Sequence, residues 1–476
     1  MNAQLCSDPL VAGVDLLPAD AAIQLQAAPL PLAPVGTKAV ELDFDGGRLS
    51  SDAGVVLLKD IDEQLGLTRA LAAALSDPRD ARRIHFTSED LLKQRVFQIA
   101  AGYEDANDST TLRDDPIFKL MLDRLPETGA PLASQPTISR FENRISRTEL
   151  YRMALVLLEQ FIASYAKAPA VIVLDVDDTE DRVHGQQEHA RYDGYYGGYC
   201  FLPLHLYEGL SGRLLTTIFK ATRFSGSQML SVLKRVVKRL RHAWPDTLVI
   251  FRGDSHFAYP EVMQWLDEQP ELSYVTGLTS NAVLNQLARE VVEQAKRAYA
   301  SRGHKVTRFH STRYQAGTWS RARRVVIKVE VCEQGVNTRF VVTDMEHART
   351  QVLYQQIYCA RGQMENDIKD HKLYLKSDRT SCHRFEANQL RLFLHSAAYI
   401  LLETLRREVL RSTQWAAATM ATIQLRFLKL GARVQECKDR IKISLPSSCP
   451  VAPVLSRSLM LLTCVRLTEQ ASVKLC

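Results

Sequence analysis

The sequence predicts an α/β protein in which a mainly helical N-terminal region precedes a core that a β-rich segment interrupts. Three observations predict it. Two short runs, Val171-Ile172-Val173-Leu174 and Leu248–Phe251, are continuously apolar and end in acids, the pattern of buried strands. A hairpin pattern and one amphipathic helix lie between them. Beyond residue 281 the period shifts to short alternating segments and then back to a long helical one.

Residues 1–36 are rich in Ala, Leu and Pro with little charge, and read as a poorly ordered tail. Residues 37–168 read as mainly helical after a strand-like opening at Val40–Phe44. Within them, Ala133–Leu150 reads as a capped turn leading into a polar, basic helix, Gln135 to Arg144. That pattern suits a helix laid on DNA as well as it suits an exposed helix of an all-α region.

The core opens at residue 169 and its first part extends to 280. Strand-like Tyr199–Glu208 and Arg213–Thr222 join around Gly209 and Gly212 as a hairpin, and Ser227–Ala243 follows as a helix. Strand, hairpin, helix, strand is the order of the ribonuclease-H-like fold. Residues 281–346 read as a β-rich insertion: a helix near Leu284–Ala300, then Val306–Tyr314, Arg323–Val331 and Thr338–Thr343. Helix returns from Thr350 to Glu408 with an interruption near Ser377–Cys382, so that 347–410 completes the core. Residues 411–476 are mixed and basic, with no assigned role.

Composition is that of a soluble globular chain of 476 residues, 46% hydrophobic and 24% charged, with a net charge of +6. This mild excess is compatible with nucleic acid without requiring it. Nine scattered cysteines contain no C-x-x-C pair, which argues against a zinc finger or a disulfide framework and suits a reducing compartment. No apolar run reaches the ~20 residues that span a bilayer, so a cytoplasmic protein without membrane partners is expected.

The acids at the strand ends are the first candidates for chemistry. In Asp175-Val176-Asp177-Asp178-Thr179, alternation puts Asp175 and Asp177 on one face and Asp178 on the other. Crowded carboxylates of this kind suit a hard cation such as Mg²⁺. Asp254 ends the second buried strand and would reach the same cleft. Further on, Tyr358, Arg361, Glu365 and Lys372 stand at offsets of 0, 3, 7 and 14, within a sector of roughly 60° on an ideal α-helix. A solvated charged face explains the charges but not their shared direction.

Tyr358-x-x-Arg361-x-x-x-Glu365-x-x-x-x-x-x-Lys372 resembles the Y-R-E-K signature of bacterial insertion-sequence DDE transposases, most closely the insertion-sequence family thirteen-eighty. Arg252-Gly253-Asp254-Ser255-His256-Phe257 is similar to that family's second-Asp motif. Asp175-x-Asp177-x-Thr179, with Gly194–Gly197 after it, is similar to its first-Asp region. The resemblance runs from about Leu42 to Arg406. It implies a catalytic triad of Asp177, Asp254 and Glu365, with Asp175 an alternative first ligand because it shares the face of Asp177. It also implies DNA contacts from Tyr358, Arg361 and Lys372.

Cleavage and strand transfer would then run through two Mg²⁺ ions, with Mn²⁺ as substitute, about 3.5–4 Å apart. The partners implied are DNA, as terminal inverted repeats and as target, and a second copy of the chain in the synaptic complex. The protein would be nucleoid-associated when acting.

Two basic segments extend the possible DNA surface. Lys234, Arg235, Lys238, Arg239 and Arg241 cluster on the helix of the core. Trp319 stands among Arg321, Arg323 and Arg324, where it suits stacking on a displaced base or capping a small core. Two alternatives compete with the transposase reading. Asp175-x-Asp177-x-Thr179 also fits the nucleophile motif of haloacid-dehalogenase-like phosphatases, with Asp175 as nucleophile. A transposase-derived DNA-binding protein without catalysis would keep the same motifs.

Overall fold

Val171–Asp178 (β1) is the strand on which the sheet is built, and its β-branched, apolar start is sealed on both faces. The hairpin Leu204–Glu208 (β2) and Arg213–Ile218 (β3) runs antiparallel to it. Leu248–Gly253 (β4) pairs with β1 in parallel, and Leu272–Leu278 (β5) with β4 in parallel. Val306–Tyr314 (β6), Arg323–Cys332 (β7) and Gly335–Thr343 (β8) then continue the same sheet through β8, antiparallel to β5. The order is β6-β7-β8-β5-β4-β1-β2-β3, eight strands in one mixed sheet.

The computed structural model describes residues 30–464, which divide into two compact units, one ending at Gly47 and the other beginning at Arg48. In the first, Leu30–Val35 and Lys38–Leu42 pair antiparallel about Gly36, whose φ of 62° suits glycine. The tail expected over 1–36 is therefore strand at its end, and residues 1–29 lie outside the described residues.

In the second unit, Ser88–Ala100 (α1), Gln135–Asn143 (α2) and Arg147–Ala163 (α3) are among the helices ahead of the sheet. Thr87 and Ser146 close capping boxes on α1 and α3. Gly226–Ala243 (α4) and Ala282–Arg302 (α5) cover the sheet face that carries Leu174, Val176 and Phe251. The opposite face carries Val173, Ile250, Val275 and Val341, and is packed by Leu353 and Tyr354 from a helical segment over Thr350–Tyr374.

Phe385–Thr404 (α6) is buried all round and packs on α1, α3 and β3. One core cluster joins residues from 53 to 157 with residues from 364 to 462, so the N-terminal helices and the C-terminal segment share a hydrophobic interior. Glu142 of α2, buried, pairs with both Arg95 of α1 and Arg391 of α6.

One expectation is corrected, and two segments gain detail. The strands of the β-rich segment, 306–343, join the edge of the central sheet through β8 beside β5. The run Tyr199–Glu208 breaks at Pro203, which has no N–H for a ladder. Its first half, Gly198–Phe201, joins a separate small sheet with Asp181–Arg182 and Arg191–Asp193. The unassigned C-terminal stretch contains the strand Ala432–Glu436, paired with Leu49–Ser50, and the helix Ala452–Cys464. No helix among the described residues is long and apolar enough to cross a membrane.

Candidate active site

The parallel strands β1 and β4 run side by side, so their carboxyl ends open on one edge of the sheet. Asp175 and Asp177 project from the same face, as alternation requires. Their surroundings differ. Arg252, directly beside Asp175 in register, grips it with Nε at 2.5 Å from Oδ1 and Nη2 at 2.6 Å from Oδ2, and Asp175 is 0% exposed. Gly209 must lack a side chain here, because a Cβ would stand 2.3 Å from Asp175 Oδ2 and 2.4 Å from Arg252 Nη2.

Asp177 lies one pleat nearer the edge, across from His205. Arg361 Nη1 donates to its Oδ2 at 2.8 Å. Burial pushes the Asp177 carboxyl up to about 6; Arg361 opposes the rise, while Asp254 and Asp178 add to it. Asp178 itself is raised by burial and feels Asp254 as well. Asp177 and Asp178, from opposite faces of β1, thus both feel the charge of Asp254 at the neighbouring strand end.

Asp254 follows β4 and caps a short turn, accepting from the His256 backbone N–H at 2.8 Å. Its Oδ2 lies 3.1 Å from His256 Nδ1, and His256 Nε2 lies 2.7 Å from Arg223 Nη1. Since arginine only donates, His256 accepts at Nε2 and presents Nδ1–H to Asp254. The pair orients the carboxylate. His256 stood in the quoted motif, but nothing in the sequence signals Arg223.

The segment over Thr350–Tyr374 is not one α-helix. It runs as a short α turn, a π stretch at Leu353–Tyr358, a 3₁₀ turn at Cys359–Arg361, α over Gly362–Lys369 and π again at Asp370–Tyr374. An angular count at ideal α spacing does not describe this backbone.

Three of the four signature side chains nevertheless reach the strand ends. The Tyr358 hydroxyl sits where a Cβ on Gly277 would meet it at 2.7 Å, beside the Asp254 backbone. Arg361 holds Asp177, and Lys372 donates to Thr179 Oγ1 at 3.0 Å and to the Glu180 carbonyl. Glu365 stays at the rim, with its side chain 64% exposed and Arg361 Nη2 3.8 Å away. Arg361 thus stands between Asp177 and Glu365. Among the described residues no group of three or more His, Cys, Asp or Glu is arranged to hold a metal ion.

The second basic cluster is engaged elsewhere. Trp319 is 6% exposed, edge-on to Tyr314 at 5.4 Å and part of the core beneath the sheet. Arg321 and Arg323 both pair with Asp267. On α4, Arg239 pairs with Glu159 and Arg241 donates to carbonyls at the strand entrances, whereas Lys234, Arg235 and Lys238 are exposed. In α2, Ile138, Phe141 and Glu142 face inward, and Arg140 is exposed.

Residues 32–466 match the family described as Transposase DDE domain, group 1. The chain belongs to that family. The DDE transposase family implies a DNA transposase with nuclease and transesterification activity that uses divalent metal ions. The phosphatase alternative falls here, and independently on Asp175, both of whose carboxylate oxygens are taken by Arg252. No curated protein matches the sequence of this DDE transposase. Among solved structures it is similar to one described as "Cryo-EM structure of piggyBac transposase synaptic complex with hairpin DNA". The identity is 12%, over 80% of this chain and 81% of that one, with a TM-score of 0.41.

Proposed function

We propose that this transposase cuts DNA at the ends of its element and joins them to target DNA with Asp177, Asp254 and Glu365, on a ribonuclease-H-like core. The observation that carries the assignment is that Arg361 and Lys372 from one helical segment bind the end of β1, beside Asp254 at the end of β4. The strand order β3-β2-β1-β4-β5 within the larger sheet supports the core. Those residues also support the Y-R-E-K signature and, through it, the insertion-sequence family thirteen-eighty.

Asp177 and Asp254, at the ends of adjacent strands, offer only hard oxygens, the donor type a divalent cation such as Mg²⁺ takes. Asp177 and Asp254 would hold the metal, Mg²⁺ or its substitute Mn²⁺, with Glu365 turning inward from the rim to join them. When bound, such ions activate water and stabilise the leaving oxygen of an in-line displacement. Asp175 is assigned to the fold rather than to the metal.

The chain's own residues do the rest. His256 and Arg223 fix the Asp254 carboxylate. Arg361, which holds Asp177, would be free to fork onto phosphate oxygens where a cation balanced that carboxylate. Lys372, anchored by Thr179 and Glu180, presents a point charge to the same backbone. Burial raises the Tyr358 phenol, so it remains a hydrogen-bond donor at neutral pH. Trp319, Arg321 and Arg323 receive no support as DNA contacts from this arrangement. Pairing of two ends calls for a homodimer in the synaptic complex.

The test is strand cleavage on duplexes carrying the inverted repeats that border the gene, with Mg²⁺ or Mn²⁺. Nicks that leave a 3′-hydroxyl, abolished by Glu365→Gln in a protein of unchanged melting temperature, are expected. Sequence-specific binding without any nicking would identify a DNA-binding module that has lost its chemistry.

A further inference from the structure

The edge that carries the acids continues past them. Beyond Asp254 at the end of β4 comes Gly277 near the end of β5, and beyond that the start of β8, which enters antiparallel at Gly335. A cleft of about 430 Å³ follows this edge, walled by Asp254, Tyr358 and Arg361 on one side and by Thr279, Thr338 and Arg339 on the other. Tyr354 and Tyr358, 5.7 Å apart, line it as well. Gly277 keeps this passage low, since any side chain there would strike the Tyr358 hydroxyl and the backbone of Asp254 and Ser255.

Arg339 is the unusual member. It lies on the same sheet face as Arg252 and Arg324, two residues along β8 from Val341. Those two arginines are consumed by the fold: Arg252 by Asp175 and the Ile357 carbonyl, Arg324 by the Met345 and Glu346 carbonyls. Lys328, the register partner of Arg339, donates to Glu330. Arg339 is exposed, and among the described residues no hydrogen bond or ion pair engages its guanidinium. A free fork at the far end of a cleft that begins at the acids is built to take an anion. Two strand spacings of ~4.8 Å separate β8 from β4, which brings Arg339 within a few nucleotides of the reacting phosphate.

We propose that this cleft is the path of one DNA strand beyond the reacting phosphate, and that Arg339 binds a backbone phosphate at its end. The inference rests on the transposase reading and adds a binding residue that the Y-R-E-K positions do not include. Thr279 and Thr338 supply hydroxyls for the same phosphate oxygens. Contacts of this type position DNA without reading its sequence.

The experiment is salt-titrated binding of the full chain to a duplex of random sequence, run in parallel with cleavage of the inverted-repeat duplex. Arg339→Ala is expected to lower the slope of log K against log salt by about 1 and to weaken binding about 3- to 10-fold. It should raise KM for the cleaved duplex while leaving kcat nearly unchanged, and Arg339→Lys should recover most of the salt slope. Because Arg339 is exposed and unpaired, the melting temperature should not move. An unchanged slope and KM in Arg339→Ala, with the native chain binding and cutting normally, overturns the subsite alone. A native chain that neither binds nor cuts DNA overturns the transposase reading and this one with it.

Discussion

Asp175 and Asp177 stand two residues apart on one strand, point to one face and each meet an arginine, yet their surroundings separate the interior of the sheet from its rim. Asp175 is met by Arg252 from the adjacent strand, two nitrogens on two oxygens, with Gly209 closing over the pair. Asp177 is met by one nitrogen of Arg361, which comes from a helical segment and leans toward a second carboxylate, Glu365. A charge closed on all sides by its sheet neighbours belongs to the fold. A charge held by one arm at a strand end is the one the proposed function assigns to chemistry. The buried Arg95–Glu142–Arg391 group is another instance of the first kind.

The contrast breaks most visibly in activity. Asp177→Asn and Asp254→Asn should each reduce metal-dependent cleavage about a thousandfold or more, measured on end-labelled duplex, with melting temperatures kept. A collapse of the fold in Asp177→Asn would erase the distinction drawn here. The interior pair should respond in the opposite currency. Asp175→Ala leaves Arg252 buried without its partner and should cost about 3–5 kcal/mol in urea unfolding.

Smaller effects sharpen the picture. Lys372→Ala should lower kcat/KM about 10- to 100-fold, because it removes one charge-assisted phosphate contact and leaves the acids intact. A drop no greater than that of an exposed α4 cation such as Lys238→Ala would take Lys372 out of the site. The least effect is on stability against pH. Burial pushes Asp367 up to about 7, with Asp370 and Glu403 adding to it against Gln363 and Arg406. The folded chain therefore holds a proton that the unfolded chain releases, and stability should fall as pH rises from about 4 to 7. Asp367→Asn should flatten that slope in melting curves across the window.

Much of this was legible in the sequence where the cause is local. Apolar runs ending in acids placed β1 and β4, and the spacing Tyr358, Arg361, Lys372 marked a segment that does reach the strand ends. Pro203 is a local break in the run from Tyr199, since it has no N–H to give a ladder. What was not legible depends on partners far away in the chain. Alternation identifies Val306–Tyr314 as a strand but not the sheet it joins, which is the central one.

Alternation likewise put Asp175 and Asp177 on one face without revealing that Arg252 is spent on the first. The α-period behind the signature sector missed two π stretches and a 3₁₀ turn, which leave Glu365 at the rim. The helical region before residue 168 read as separate because its packing partner, α6, lies more than two hundred positions further on.

The most direct measurement is Mn²⁺ binding to the DNA-free protein, by calorimetry, in two variants. Asp177→Asn removes the rim carboxylate; the double variant Asp175→Asn with Arg252→Gln neutralises both members of the interior pair and leaves no buried charge unmatched. Asp177→Asn should weaken Mn²⁺ binding about tenfold or more, while the folded double variant should bind nearly as the native protein does. Native-like Mn²⁺ binding in Asp177→Asn, with loss of binding in a folded double variant, would make Asp175 the ligand and contradict the assignment of Asp177.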